Sequence, residues 1–280
     1  MVGIFYLIAG KPGMLSGTIL AVIYMFMPML STLIVEKLIY KEPIKENLRI
    51  SFKINKWFFV AWLITPVISF LTIAISLLFP DVEYSHEMTG MIKRFEGMFT
   101  PEQMEQMKKS METIPVHPLW LSLIQGLFAG ATVNAVAGFG EELGWRGFLF
   151  KEYKGYSFWK SSLLIGFIWG IWHAPLILLG HNYPQHPVIG VFMMTLWCML
   201  LAPVFNYIRI KSNSVIAASI MHGTLNATAG IAIMVIDGGS DLTVGMTGIA
   251  GMIAWLIALL LLYFYDNKIS KDKIMSSPLN

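Results

Sequence analysis

The chain has 280 residues, of which 56% are apolar and 13% charged, and its formal net charge is +3 at pH 7. An ordinary soluble domain has about 25% charged residues, so a mean hydropathy of +0.64 over this length excludes a water-soluble protein. We therefore expect membrane lipid around the chain and no nucleic-acid partner. The single cysteine, Cys198, excludes an intramolecular disulfide.

Apolar runs of about 20 residues, the length that crosses a bilayer as a helix, recur along the whole chain. They do not alternate with polar residues, which favours helices over a membrane barrel. We predict an all-α polytopic transmembrane helix bundle of about seven to eight spans, with residues 1–280 forming a single integral membrane domain. The candidate spans are 15–38, 57–79, 118–140, 160–180, 188–208, 214–236 and 244–265, with an eighth if residues 1–10 belong to one.

The charges of the connecting segments predict the orientation. Lys and Arg are concentrated in one alternating set of connections, which the positive-inside rule places in the cytoplasm of a multi-pass cell-membrane protein. This set consists of Lys37, Lys41, Lys45, Arg49, Lys53, Lys56, Arg146, Lys151, Lys154, Lys160, Arg209, Lys211, Lys268, Lys271 and Lys273. The opposite set is 80–117, 181–187 and 237–243, of which the last two contain no Lys or Arg.

The segment 80–117 holds seven carboxylates and four basic residues. Its apolar residues recur at mostly helical spacing, at Ile92, Phe95, Met98, Met104, Met107 and Met111. Charged residues lie between them, a pattern typical of a helix at a membrane surface. We predict an extracytoplasmic amphipathic loop over 80–117.

Four ionisable side chains lie in or next to predicted spans: Glu141, Glu142, His173 and His222. A charge at the bilayer centre costs about 2.5–3.5 kcal/mol on insertion scales, so such residues are candidates for function. The four belong to three different spans. Counting about 1.5 Å per residue from the basic ends places them at similar depths in the cytoplasmic half. We predict a conical or enclosed intramembrane cavity that opens toward the cytoplasmic side.

Helical spacing predicts which of these side chains share a face. Glu142 and Arg146 are four residues apart, the separation of an ion pair on a helix. Glu141 is rotated by about 100° from Glu142, so we expect the two carboxylates to do different work. Asn134, seven residues before Glu141, is predicted to extend the same polar face.

The combined set suits the hydrolysis of an amide bond. A carboxylate in an apolar pocket can act as general base toward water, and an imidazole opposite it can position that water or pass the proton to the leaving amine. A second imidazole and an amide side chain can donate to the developing oxyanion, and His222 and Asn226, four residues apart, can point at one centre. The same groups could instead bind zinc, because two histidines and one glutamate form a catalytic ligand set. His173 and His222 would then be the histidine ligands.

The motifs resemble those of the CAAX prenyl endopeptidase and bacteriocin self-immunity family of intramembrane proteases. Glu141, Glu142 and Arg146 have the spacing of the family's EExxxR motif. Trp169 and His173 resemble its FxxxH motif, and His222 and Asn226 match its HxxxN motif. Trp169 stands where the family usually has Phe, from which we expect altered packing near the site. The motifs predict a catalytic core over 118–236.

The resemblance implies an intramembrane endopeptidase with Glu141 as base and His173 as its water-activating partner. It implies that His222 and Asn226 stabilise the oxyanion and that Glu142 pairs with Arg146. We expect no cofactor, with zinc as the alternative. The expected partner is a protein or peptide substrate, prenylated or membrane-anchored; the motifs do not identify it, and the sequence does not indicate the oligomeric state.

Two alternatives use the same residues differently. In a proton-coupled transporter, Glu141, His173 and His222 would form a relay, although the chain has no strong internal repeat and few polar residues in the outer halves of its spans. In a catalytically silent bacteriocin-immunity protein, the motifs would serve only binding.

Overall fold

A computed structural model of the chain describes residues 14–95, 100, 102, 103, 105, 106, 109 and 115–278. Residues 1–13 lie outside the described residues, and they include residues 1–10, on which the predicted eighth span depends. Also outside the described residues are Met98, Met104, Met107 and Met111 of the predicted amphipathic loop. Ile92 of that loop lies in a short helix, Thr89–Phe95.

The described chain is mainly helical. Its α-helices are α1 (Met14–Met25), α2 (Met27–Ile34), α3 (Ile44–Asn47), α4 (Lys56–Ser76), α5 (Thr89–Phe95), α6 (Pro118–Ala131), α7 (Val133–Glu142), α8 (Phe150–Glu152), α9 (Phe158–Trp172), α10 (Ala174–Ile177), α11 (Pro187–Ser212), α12 (Val215–Thr228), α13 (Ile231–Met234) and α14 (Ile249–Lys268). Two π-helical segments, Val35–Tyr40 and Leu143–Leu149, continue α2 and α7, and a 3-10 turn covers Ile274–Ser276. Strands β1 (Val82–Tyr84) and β2 (Ile236–Gly238) complete the structure.

Several of these helices begin or end at residues with a clear local preference. Asn55, Ser157 and Ser214 each accept a hydrogen bond from a backbone N–H in the first turn of α4, α9 and α12. These side chains satisfy donors that have no partner within the helix. The long helix α11 ends at Asn213, which adopts a left-handed conformation with φ 53°, and asparagine tolerates this better than most residues.

Five stretches of the described chain are long and apolar enough to cross a membrane: Ile19–Tyr40, Lys56–Ser76, Pro187–Ser212, Val215–Met234 and Ile249–Lys268. A sixth results if Pro118–Ala131 and Val133–Glu152 count together, although they bend by 51° at Thr132. The predicted span 160–180 is instead the 15-residue helix α9, a break at His173 and the short α10. Because 15 residues rise only about 23 Å, α9 alone falls short of a bilayer core of about 30 Å. The predicted count of seven to eight spans stays a prediction.

The prediction of an all-α chain needs one correction. β1 and β2 form an antiparallel pair in which Val82 faces Gly238 and Tyr84 faces Ile236. An ion pair between Lys93 and Asp237, with 2.8 Å between Nζ and Oδ2, holds α5 against the same pair. The strands are only three residues long, too short for a periodic signal in the sequence.

Helix α12 occupies the centre of the bundle and packs against α4, α6 and α7. It approaches its neighbours most closely at Gly223, where an added Cβ atom would lie 2.4 Å from both the Ala135 nitrogen and the Gly130 oxygen. Such close backbone contact is typical of helix pairs in membranes, where small residues permit tight packing. Because His222 immediately precedes Gly223, this contact also sets how near His222 lies to α7.

Buried aromatic rings fill the centre of the bundle. Trp169, Phe205, Tyr207 and Trp255 are all below 2% exposed and belong to one apolar cluster. One of these rings also makes a polar contact between helices, since the Tyr207 hydroxyl donates to the buried carboxylate of Asp266 at 3.0 Å. The core is therefore closely packed, and this hydrogen bond holds α11 against α14.

We expect Gly223→Ala to destabilise the protein by about 1–3 kcal/mol, the usual cost of overpacking a tight contact, because the new methyl group meets backbone atoms. Gly230→Ala is the matched control, since an added Cβ there meets nothing within 4 Å. Thermal unfolding of both variants in detergent measures the difference. Equal melting temperatures for the two variants would show that the close approach of α12 is not a constraint.

Candidate active site

A cavity of about 320 Å³ lies among α1, α7, α9, α11 and α12. Four residues that the sequence predicts as a site line it: Glu141, His173, His222 and Asn226. Much of the remaining lining is apolar or aromatic, which is typical of ligand cavities with a few polar groups. The fold thus brings together side chains from three separate helical segments.

Glu141 is oriented by two indole groups. It lies at the end of α7, is 2% exposed, and its Oε2 atom accepts hydrogen bonds from Trp169 Nε1 at 2.9 Å and Trp145 Nε1 at 3.3 Å. Its other oxygen, Oε1, lies 3.8 Å from His222 Nε2. One carboxylate oxygen is therefore fixed by donors, while the other remains available on the histidine side.

The imidazole of His222 lies between two carboxylates. Its Nδ1 is 2.7 Å from Glu142 Oε1, and its Nε2 faces Glu141 Oε1. Because a carboxylate accepts hydrogen bonds, Nδ1–H of His222 donates to Glu142. The expectation that the two carboxylates are placed differently agrees with this geometry, but their shared contact with one ring was not foreseen.

The ion pair between Glu142 and Arg146 that the spacing predicts is present, with 3.0 Å between Oε1 and NH1, and neither side chain is exposed. The Arg146 guanidinium also lies 4.4 Å from the ring centre of Trp169 and 4.5 Å from that of Phe205. Among the described residues, Glu142 Oε2 and Arg146 Nε and NH2 have no hydrogen-bond partner. The charge of Arg146 is thus stabilised by one carboxylate and two aromatic faces.

His173 follows α9 directly, at the break before α10. Its Nδ1 lies 2.7 Å from the Trp169 carbonyl oxygen. A carbonyl only accepts, so Nδ1 carries the proton in this contact and Nε2 has the lone pair in the neutral ring. His173 can therefore accept a proton or a hydrogen bond from a ligand in the cavity.

Asn226 lies one helical turn after His222, and its exposed side chain makes no hydrogen bond with a described residue. Asn134, predicted on the Glu141 face, is half-buried and does not line the cavity. The bend at Thr132 separates α6 from α7 only two residues before it. Asn226 is thus available to a ligand, whereas Asn134 is not brought to the site.

Sequence reasoning missed three aromatic residues that shape the site. Trp145 lies four residues after Glu141, so helical spacing alone could have indicated its contact. Trp169 was considered only for packing, although its indole N–H contacts Glu141. Tyr24 of α1 stacks on Trp172, with ring centres 4.2 Å apart, and donates to its carbonyl oxygen. Nothing in the local pattern connects α1 to the site.

Zinc is the alternative that the sequence leaves open at this site. Among the described residues, no group of three or more His, Cys, Asp or Glu side chains is arranged to hold a metal ion. Zinc needs three protein ligands at a catalytic site, so we derive no chemical step through it.

The cavity extends toward loops at the end of the bundle opposite the basic connections. His181, Asn182, Met246 and Thr247 belong to its lining, and these loops follow α10 and precede α14. Burial lowers the pKa of His181, which keeps this ring neutral near pH 7. The predicted opening toward the basic, cytoplasmic side stays a prediction.

We expect Arg146→Ala to destabilise the fold by about 3–5 kcal/mol, because it leaves Glu142 buried without its cationic partner. Lys93→Ala is the control, since it breaks an ion pair whose lysine side chain is 61% exposed and such pairs contribute little. The yield and the melting temperature of each variant in detergent measure the loss of stability. If Arg146→Ala behaves like Lys93→Ala, the buried pair does not stabilise the site.

The family match to known proteins covers the part of the chain that contains these site residues. Residues 117–228, about two fifths of the sequence, match the family described as type II CAAX prenyl endopeptidase Rce1-like. The curated CAAX prenyl protease 2 of Methanococcus maripaludis is 28% identical over 144 residues, which cover 48% of each chain. The chain thus aligns with about half the length of this relative, and no solved structure matches it. The resemblance to the CAAX prenyl endopeptidase family that the three motifs indicate is confirmed, and residues 117–228 carry it.

Proposed function

We propose that this protein is an intramembrane endopeptidase that hydrolyses a peptide bond of a membrane-associated protein or peptide. One observation carries the proposal: Glu141, His173, His222 and Asn226 line a single, largely apolar cavity. A protease agrees with the family match and with the curated relative. The transporter alternative finds no comparable support.

The proposed base is Glu141. Its Oε2 atom is held by the indoles of Trp145 and Trp169, so Oε1 is the atom that accepts the proton of the attacking water. The lone pair of His173 Nε2 accepts the second hydrogen of that water and orients its oxygen toward the carbonyl carbon. Positioned general bases of this kind contribute about 10²–10⁴-fold to the rate.

The proposed oxyanion donors are His222 and Asn226. With Nδ1–H of His222 donating to Glu142, the ring can donate from Nε2 only as the imidazolium. The Asn226 amide has no partner among the described residues and supplies the second donor. As the tetrahedral intermediate collapses, the C–N bond breaks and Glu141 returns its proton to the leaving amine, which completes the hydrolysis.

The cavity walls support a proposal for the substrate class. Ala21, Met25, Leu176, Met194 and Leu225 provide an apolar lining next to the proposed catalytic groups. Such walls favour an apolar peptide segment or a lipid group attached to the peptide. We therefore propose a membrane-anchored or prenylated substrate and a mechanism that needs no metal.

We expect the purified protein in detergent to cleave at least one member of a quenched peptide panel that includes a farnesylated CAAX peptide. Glu141→Gln should lower the rate by about 10²–10⁴-fold because it removes the base, with the melting temperature retained. Glu87→Gln, a change of an exposed carboxylate that does not line the cavity, is the control. A zinc chelator should leave cleavage unchanged.

Two results would contradict parts of this proposal. Cleavage by Glu141→Gln at the rate of Glu87→Gln would exclude Glu141 as base. Loss of cleavage on chelation, restored by zinc, would replace the metal-free mechanism. If the folded wild type cleaves no peptide, and cells that carry Glu141→Gln keep the function that cells without the protein lose, the chain is a binding protein instead.

Trp169→Phe tests whether the indole N–H positions the base. The variant keeps an aromatic face beside Arg146 and removes the donor to Glu141, so we expect kcat to fall about tenfold, by loss of one charge-assisted hydrogen bond, with KM little changed. Trp62→Phe is the matched control, since it removes a different indole donor, to the Leu127 carbonyl oxygen. Equal kcat in both variants would show that Trp169 serves only packing.

A further inference from the structure

A second cavity, of about 720 Å³, lies at the basic end of the bundle and shares no lining residue with the candidate active site. The short helices α3 and α8, the end of α11 and the C-terminal segment surround it. Four basic residues line it: Arg49, Lys151, Lys154 and Arg209. We call this cavity the basic pocket.

Two carboxylates, Glu46 and Asp272, also line the basic pocket, so its balance of charge depends on which groups are paired. Asp272 pairs with Lys211. Lys151 is bound outside the pocket lining, to Glu36 at 3.0 Å and to Glu42 at 2.5 Å.

Three cations in the basic pocket remain without a carboxylate partner among the described residues: Arg49, Lys154 and Arg209. One carboxylate, Glu46, opposes them without forming an ion pair. The pocket therefore has an excess of positive charge that the protein itself does not neutralise.

Arg209 is the residue that distinguishes this pocket from a patch of ordinary surface charge. Its side chain is only 7% exposed, its guanidinium lies 4.8 Å from the Phe150 ring centre, and its Nε atom donates to the Arg146 carbonyl oxygen at 3.2 Å. The two terminal nitrogens make no hydrogen bond with a described residue. A buried charge normally has a partner. The unpaired terminal nitrogens of Arg209 therefore indicate that the pocket binds an anion that is not part of the protein.

We propose that the basic pocket binds a phosphate group. An arginine presents two parallel donors that match phosphate oxygens, and Arg49 and Lys154 add charge at the exposed rim of the same cavity. A phosphate could belong to the headgroup of an anionic lipid or to a soluble compound. The positive-inside rule places this end of the bundle at the cytoplasmic leaflet, where headgroup phosphates are at hand.

The test uses the purified full chain, delipidated in non-ionic detergent. Calorimetry at constant ionic strength measures binding of inorganic phosphate, and native mass spectrometry measures retention of phosphatidylglycerol, with diacylglycerol as the phosphate-free probe. We expect saturable binding of one equivalent of at least one phosphate probe and none of diacylglycerol. Phosphatidylglycerol alone would identify a lipid site, and inorganic phosphate alone a site for soluble ligands.

The variants separate the pocket from general surface charge. Arg49→Gln combined with Lys154→Gln should weaken phosphate binding by about tenfold and leaves the contact between Arg209 and Arg146 intact. Lys53→Gln combined with Lys268→Gln is the control, with the same change in net charge at two exposed positions outside the pocket, and should bind as the wild type does. Arg209→Lys, which keeps the charge and loses the paired donors, should also bind more weakly. Absence of saturable binding by either phosphate probe, or equal weakening in the rim and control variants, would overturn the proposal.

Discussion

The position of His222 between Glu141 and Glu142 is the contact on which the rest of the site depends. One imidazole joins two consecutive carboxylates of α7 to α12, and through Glu142 it reaches the buried Arg146. In an apolar surrounding, each of these groups would be costly without the others. The network therefore joins α7, the π-helical segment and α12 through specific polar contacts.

Trp169 connects this network to α9. Its ring lies beside Arg146, its N–H donates to Glu141, and its carbonyl oxygen accepts from His173. A phenylalanine at this position could supply the ring and the carbonyl but not the N–H. The exchange of Phe for Trp, which looks like a packing change in the sequence, thus adds a polar contact to the proposed base.

The sequence predicts well what depends on composition and on neighbours along one helix. Long apolar runs identify the membrane class, and spacing of four residues predicts the pair of Glu142 and Arg146. The gathering of Glu141, His173 and His222 around one cavity was also expected, because intramembrane ionisable groups are rare enough to be counted. In each case the signal lies in residue type and period, not in tertiary detail.

What the sequence does not predict depends on contacts between distant segments. The bend at Thr132, the shortness of α9 and the pairing of β1 with β2 follow from how the helices fit together, and the approach of α12 at Gly223 follows from backbone shape. The excess charge of the basic pocket is equally hidden: its cations resemble ordinary cytoplasmic loop charges until Arg209 is seen to be buried.

The separation of 80 residues between Glu142 and His222 has a consequence for biosynthesis. When α7 enters the membrane, the ring that joins its two carboxylates has not yet been synthesised, and only Arg146 is close enough to neutralise one of them. The contact that joins both carboxylates therefore forms only after α12 has been synthesised. Maturation of the site is thus tied to the synthesis of α12, because a chain that stops before α12 keeps Arg146 beside Glu142 but lacks the imidazole that joins the two carboxylates.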